Sequence, residues 1–126
     1  MKAVSLRQFL TGVKDVLDAS FPLHYGIMAE IARFNVNPNS GHCFLDLVEK
    51  DGETVVAKAG AVIWKSRLED IADRFKQATG QELREGLKVL LVAQVMYHEV
   101  YGFKLGISDI DPSYTVSYTH LTLPTN

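Results

Sequence analysis

Asp51-Gly52 restricts the fold of this chain more than any other feature. It sits in Lys50-Asp51-Gly52-Glu53, between two apolar segments. Glycine takes the positive φ of a tight turn at no steric cost, and so short a connection joins antiparallel neighbours. The flanking segments therefore read as a β-hairpin. In the first, His42 to Glu49, Phe44 and Asp46 fall on one face and Leu45 and Leu47 on the other, the period of two that a strand imposes. The second runs from about Thr54 to Trp64, is rich in Val and Ala, and holds Gly60, where a bend or bulge is expected.

The remaining elements fall around this hairpin. Ser5 to Leu17 reads as a helix capped by Ser5, with Leu6, Phe9, Leu10, Val13, Val16 and Leu17 on one face. Phe21-Pro22 stops it, and the apolar face is expected to pack on a sheet or on another domain. A strand over Tyr25 to Val36, with loose alternation, leads into the turn cluster Asn37-Pro38-Asn39-Ser40-Gly41. From Lys65 to Thr79 the period changes: Leu68, Ile71, Ala72 and Phe75 share a helical face, and Gly80 closes the helix. A long apolar strand, Leu87 to Val100, turns at Tyr101-Gly102 into a fifth strand, Phe103 to Ile110, ended by Asp111-Pro112. The order is helix, three strands, helix, two strands. This is the arrangement of a mainly β, five-stranded OB-fold Greek-key barrel with its helix between strands three and four.

The expected division is a helical lead-in over 1–23, the OB domain over 24–112, and a tail over 113–126 that is unstructured or not native. The tail is Thr-rich without helical or strand period, its last eleven residues look like adapter read-through, and it carries no functional expectation.

A chain of 126 residues has material for one core. Net charge is −2, which gives no overall support to nucleic-acid binding, although a local basic stripe is compatible with it. The lone cysteine, Cys43, excludes an internal disulfide, points to a cytoplasmic setting, and reads as a small buried hydrophobe rather than a nucleophile. No signal peptide or membrane-length apolar run is evident. The four histidines have no metal spacing, no phosphate-binding glycine motif or Ser-His-Asp set is present, and neither catalytic residues nor a cofactor are expected. Asp109 and Asp111 point to one side of a strand and read as capping the barrel end before a metal pair.

Several segments resemble the N-terminal domain of the exodeoxyribonuclease VII large-subunit family. The helix begins at Ser5-Leu6, as that family's Ser-Val/Leu start does. Glu30-Ile31-Ala32-Arg33-Phe34 is similar to its Glu-Ile-Ser-Asn-Phe. Ser40-Gly41-His42-Cys43-Phe44-Leu45-Asp46-Leu47 resembles its Ser-Gly-His-aromatic-aromatic-Phe-x-Leu. Trp64-Lys65 stands where the family tends to have Phe-Arg, and His98-Glu99-Val100-Tyr101-Gly102-Phe103 is similar to its Tyr-Glu-x-x-Gly-x-Tyr turn. The match covers about residues 5 to 112. The chain departs at Tyr101, where the family often has Arg, and at Cys43, where it often has an aromatic. The resemblance implies single-stranded DNA as partner, a nuclease domain downstream that this chain does not reach, and a small subunit bound through that missing C-terminal region.

OB domains bind single strands on the face of strands two and three, where aromatic rings stack on bases and Lys or Arg pairs with phosphates. The candidate contacts are Arg33, Phe34, His42, Phe44, Lys58, Trp64, Lys65, Arg67, Tyr97, His98 and Tyr101. Phe34, Phe44 and Trp64 read equally as core residues, His42 as a turn hydrogen bond, and Lys65 and Arg67 as solvated groups opposing a helix dipole. Lys58 is the most informative cation, since a charge in an apolar strand needs an open face. Two other uses of the same fold remain open: a protein-assembly module, and an RNA-binding domain of the transfer-RNA type.

Overall fold

The computed structural model describes residues 1–117. Its elements are α1 (Leu6–Ser20), β1 (His24–Val36), β2 (Cys43–Asp51), β3 (Thr54–Ile63), α2 (Lys65–Thr79), β4 (Leu87–His98) and β5 (Gly102–Ser117). The strands close into a barrel in the order β1-β2-β3-β5-β4, with β1 returning to pair with β4. All pairings are antiparallel except β3 with β5. That order, with a helix between the third and fourth strands, is the expected OB barrel. The hairpin forms as read: Asp51 pairs with Thr54, and Gly52 has φ 64°.

Alternation along each strand builds the core. Ala29 and Ile31, Cys43, Leu45 and Leu47, Ala61 and Ile63, Leu87, Val89, Leu91 and Ala93, and Leu105 and Ile107 all point inward and are buried. α2 closes the barrel with Ile71 and Phe75, the latter fully buried. Two polar ties hold α2 on β5: Arg67 donates to the Ser108 carbonyl at 3.1 Å, and Arg74 pairs with the Asp109 carboxylate. Asp109 thus anchors the helix, while Asp111 accepts from the Ser113 N–H and hydroxyl.

The curvature devices differ from the expected one. Gly60 lies in regular register opposite Asp46. The shifts instead place extra residues at Ala32 in β1, Val56 in β3 and Ser108 in β5. A bulge needs a spare residue in one strand rather than a missing side chain, so a lone glycine does not mark it. β5 also runs past Asp111-Pro112: after an irregularity, Val116 and Ser117 pair with Lys88 and Leu87. Residues 118–126, most of the expected tail, lie outside the described residues.

α1 forms with the expected cap. Ser5 and Gln8 make a reciprocal capping box at 2.9 and 3.1 Å. It touches the barrel at the end of β4, where the Thr11 hydroxyl donates to Glu99 at 3.0 Å. Only part of its apolar face is covered: Leu10, Val13 and Leu17 are half-buried, whereas Leu6, Phe9 and Val16 stay 73%, 60% and 63% exposed.

Phe75→Ala removes the largest fully buried side chain. It is expected to cost about 3–5 kcal/mol in urea unfolding. A loss below about 1 kcal/mol would show that α2 is not integral to the core.

Candidate nucleic-acid interface

The residues that alternate with the core face outward. Phe44 on β2 lies opposite Val62 on β3, and Val62 lies beside Gly106 on β5. On β4, Met96 is opposite Lys104 and His98 is opposite Gly102. Trp64 stands at the exit of β3. These positions outline a groove of about 490 Å³, lined by Phe44, Val62, Trp64, Met96, Tyr97, His98, Tyr101, Gly102 and Lys104. That volume lies within the usual range for binding sites, roughly 300–1,000 Å³. The lining is mostly apolar. Lys104 is the only Lys, Arg or carboxylate among the described residues that line it, and its Nζ sits 5.0 Å from the centre of the Phe44 ring.

The β4–β5 turn lines the groove and the β1–β2 loop backs its Trp64 wall, and each is braced by an imidazole. In the β1–β2 loop the Asn37 side chain accepts from the N–H groups of Asn39 and Ser40, and the Ser40 hydroxyl accepts from the His42 N–H at 3.2 Å. His42 Nδ1 then accepts from the Lys65 N–H at 2.9 Å, and its ring meets Trp64 edge-on at 5.0 Å. Gly41 is needed here twice over. Its φ is +79°, and a Cβ would lie 2.8 Å from the Lys65 side chain. At the β4–β5 turn, His98 Nδ1 accepts from the N–H groups of Val100 and Tyr101 at 3.0 and 3.4 Å, and the Tyr101 ring lies 4.8 Å from the imidazole. Glu99 in that turn is held below the ordinary carboxylate range by its own N–H and by the Thr11 hydroxyl.

The eleven candidate contacts therefore divide. Phe44, Trp64, Tyr97, His98 and Tyr101 line the groove, and His42 supports its wall through Trp64. Phe34 points inward, packs against the core, and donates its N–H to Glu85 at 3.1 Å. Arg33 is exposed and opposite Asp46, on the outer face but outside the groove lining. Lys58 shares the outer face with Val62 but lies four residues along β3, about 13 Å away at strand spacing. Lys65 lays its stem over Gly41, and Arg67 is committed to the Ser108 carbonyl. Sequence reasoning missed Val62, Met96 and Lys104. The signal that singled out Lys58, a lone cation in an apolar strand, applies equally to Lys104 in Phe103-Lys104-Leu105.

With this geometry in view, the known proteins it resembles are informative. Residues 4–111 match the family described as an OB-fold nucleic acid binding domain. The chain belongs to that family. It is also similar to the exodeoxyribonuclease 7 large subunit of Deinococcus radiodurans, 33% identical over 95% of this chain. The chain spans 30% of that relative's length. The OB-fold assignment gives the groove its frame: strands two and three with the β1–β2 and β4–β5 loops form the surface on which such domains hold nucleic acid. Among the described residues, no helix is long and apolar enough to cross a membrane, and no group of three or more His, Cys, Asp or Glu could hold a metal ion.

Cys43, on the inner face of β2 beside Phe44, is fully buried. Desolvation pushes its thiol up to about 11, above its ordinary 9.0. The unfolded thiol ionises first as pH rises, so this contribution to stability is present below about pH 9 and lost towards pH 11. In the native protein Cys43 is expected to resist an aromatic disulfide reagent at pH 8 and to react at once in urea. Rapid native labelling would show that the barrel opens at β2.

Proposed function

We propose that this OB-fold domain binds single-stranded DNA across the groove and presents it to the nuclease portion of an exodeoxyribonuclease VII large subunit. The observation that carries the reading is an apolar, aromatic-rich groove left open to solvent, its exposed rings braced by His42 against Trp64 and by His98 against Tyr101. Phe44, Trp64 and Tyr101 offer ring surface for unpaired bases, and stacking tolerates any sequence because every base has a π-face. Trp64 and Tyr101 are 40% and 75% exposed, so their rings are open to a ligand. The similarity to a named exodeoxyribonuclease subunit supports DNA and the nuclease context. Hydrolysis and assembly with a small subunit belong, on this reading, to parts of that subunit the chain does not span. Binding itself calls for no cofactor, and the buried, unbridged Cys43 is in keeping with a cytoplasmic protein.

The test is fluorescence anisotropy of the chain with a labelled oligothymidylate across a salt series. Weak binding is expected, falling about two- to threefold between about 50 and 200 mM salt, the release that one phosphate contact gives. Phe44→Ala and Trp64→Ala should each cost about 1–3 kcal/mol of affinity. No binding at low salt, or binding indifferent to salt, would overturn the reading.

A second reading, protein assembly, is favoured by particular observations. Arg33, Lys58 and Lys65 lie outside the groove lining, and the α1 face carries uncovered Leu6, Phe9 and Val16. Under that reading oligothymidylate does not bind, and sedimentation velocity shows association that Phe9→Glu abolishes. The family description covers nucleic acid in general, so competition between DNA and RNA oligonucleotides of one sequence separates DNA from RNA use.

A further inference from the structure

We propose that Lys104 is the phosphate contact of this groove, stored on the Phe44 ring until an unpaired base takes the ring's place. The proposal rests on the single-strand reading above. Lys104 Nζ lies 5.0 Å from the Phe44 ring centre, within cation–π range. Several other cations of the molecule are held by oxygen, among them Lys14 by Asp18, Arg74 by Asp109, Lys76 by Glu82, and Arg67 by the Ser108 carbonyl. Among the described residues Lys104 has no carboxylate partner, and the aromatic face is what it rests on.

A ring face holds one occupant. A base that stacks on Phe44 displaces the ammonium, and stacking on a ring is worth more than an exposed cation–π contact. The displaced group stands on a flexible four-carbon stem at the groove wall, and the stacked base brings its own phosphate within reach. The electrostatic contact thereby becomes conditional on an unpaired base. A duplex keeps its bases inside the stack, leaves the ring face to Lys104, and forgoes the contact. Single strand is told from duplex without any reading of sequence.

The experiment compares the wild-type chain with Lys104→Met, Lys104→Arg and Phe44→Leu, each against labelled oligothymidylate and against the thymidylate–adenylate duplex of equal length, over a salt series. Lys104→Met should flatten the single-strand dependence of log K on log salt by about 0.7, the release expected for one phosphate contact, and leave the duplex slope unchanged. Lys104→Arg keeps the charge and should keep the slope. Phe44→Leu should weaken single-strand binding at unchanged slope and steepen the duplex slope, because the ammonium is no longer held. An unchanged single-strand slope in a Lys104→Met protein that still binds would overturn the proposal, as would equal flattening for both ligands. Thermal midpoints matching the wild type exclude a folding defect. Absence of wild-type binding at low salt would remove the single-strand reading, and this proposal with it. Wild-type binding with the wrong Lys104 behaviour removes the proposal alone.

Discussion

Two parallel backbone pairings, Ala61 with Leu105 and Val62 with Gly106, close the sheet into a barrel. Every other seam is a longer antiparallel ladder. The short seam does two things at once. Its inward residues, Ala61 and Leu105, complete the core, and its outward residues, Val62 and Gly106, lie on the face that bears the groove. Without it Phe44 on β2 and Trp64 at the exit of β3 would stand on one sheet edge and Met96, His98 and Lys104 on another. Gly106 shows how close the approach is: a Cβ there would come within 2.5 Å of the Met96 sulfur. A side chain at that position would have to displace Met96 from the groove wall.

The bulges are what let five strands bend around so small a core, and their positions were written in the sequence in a form that is easy to miss. Inward apolar residues of β1 step by two through Ala29 and Ile31, then by three to Phe34. Those of β5 step by two from Leu105 to Ile107, then by three to Ile110. Each three-residue step contains the extra residue, Ala32 or Ser108. The loose alternation of the first strand was thus a regular pattern interrupted once. Gly60 stands out by residue type, but the phase of the apolar pattern holds the information. The hairpin, both helices and the strand order were legible because each depends on local chemistry: a positive-φ glycine, a capping residue, or a period.

The site was less legible for a physical reason. Whether an outward residue belongs to the groove depends on which strands become neighbours, and β3 meets β5 across some forty residues of sequence. Phe34 and Phe44 are both strand aromatics near the β1–β2 turn, yet the bulge at Ala32 turns Phe34 inward while Phe44 stays out. The same holds for the cations. Arg67 and Lys65 lie next to Trp64 in the chain, but the helix they start carries Arg67 to Ser108 and lays Lys65 on Gly41. Lys104 is forty residues from Trp64 and shares the groove with it.

The two imidazoles at the rim show why a structural role and a binding role are poor alternatives. His42 and His98 each use Nδ1 to accept backbone N–H groups, which fixes the tautomer and places the ring proton on Nε2. A ring held this way has lost its rotamer freedom before any ligand arrives. His42 is positioned against Trp64, and His98 against Tyr101, so each brace also sets the attitude of an exposed aromatic. Preorganised rings lose less entropy on binding than free ones, which matters most where charge attraction is thin. At a net charge of −2, this domain cannot rely on a broad positive field, so whatever affinity the groove has must come largely from ring surface already in place. The Ser40-Gly41-His42 segment contributes to that surface by holding it still.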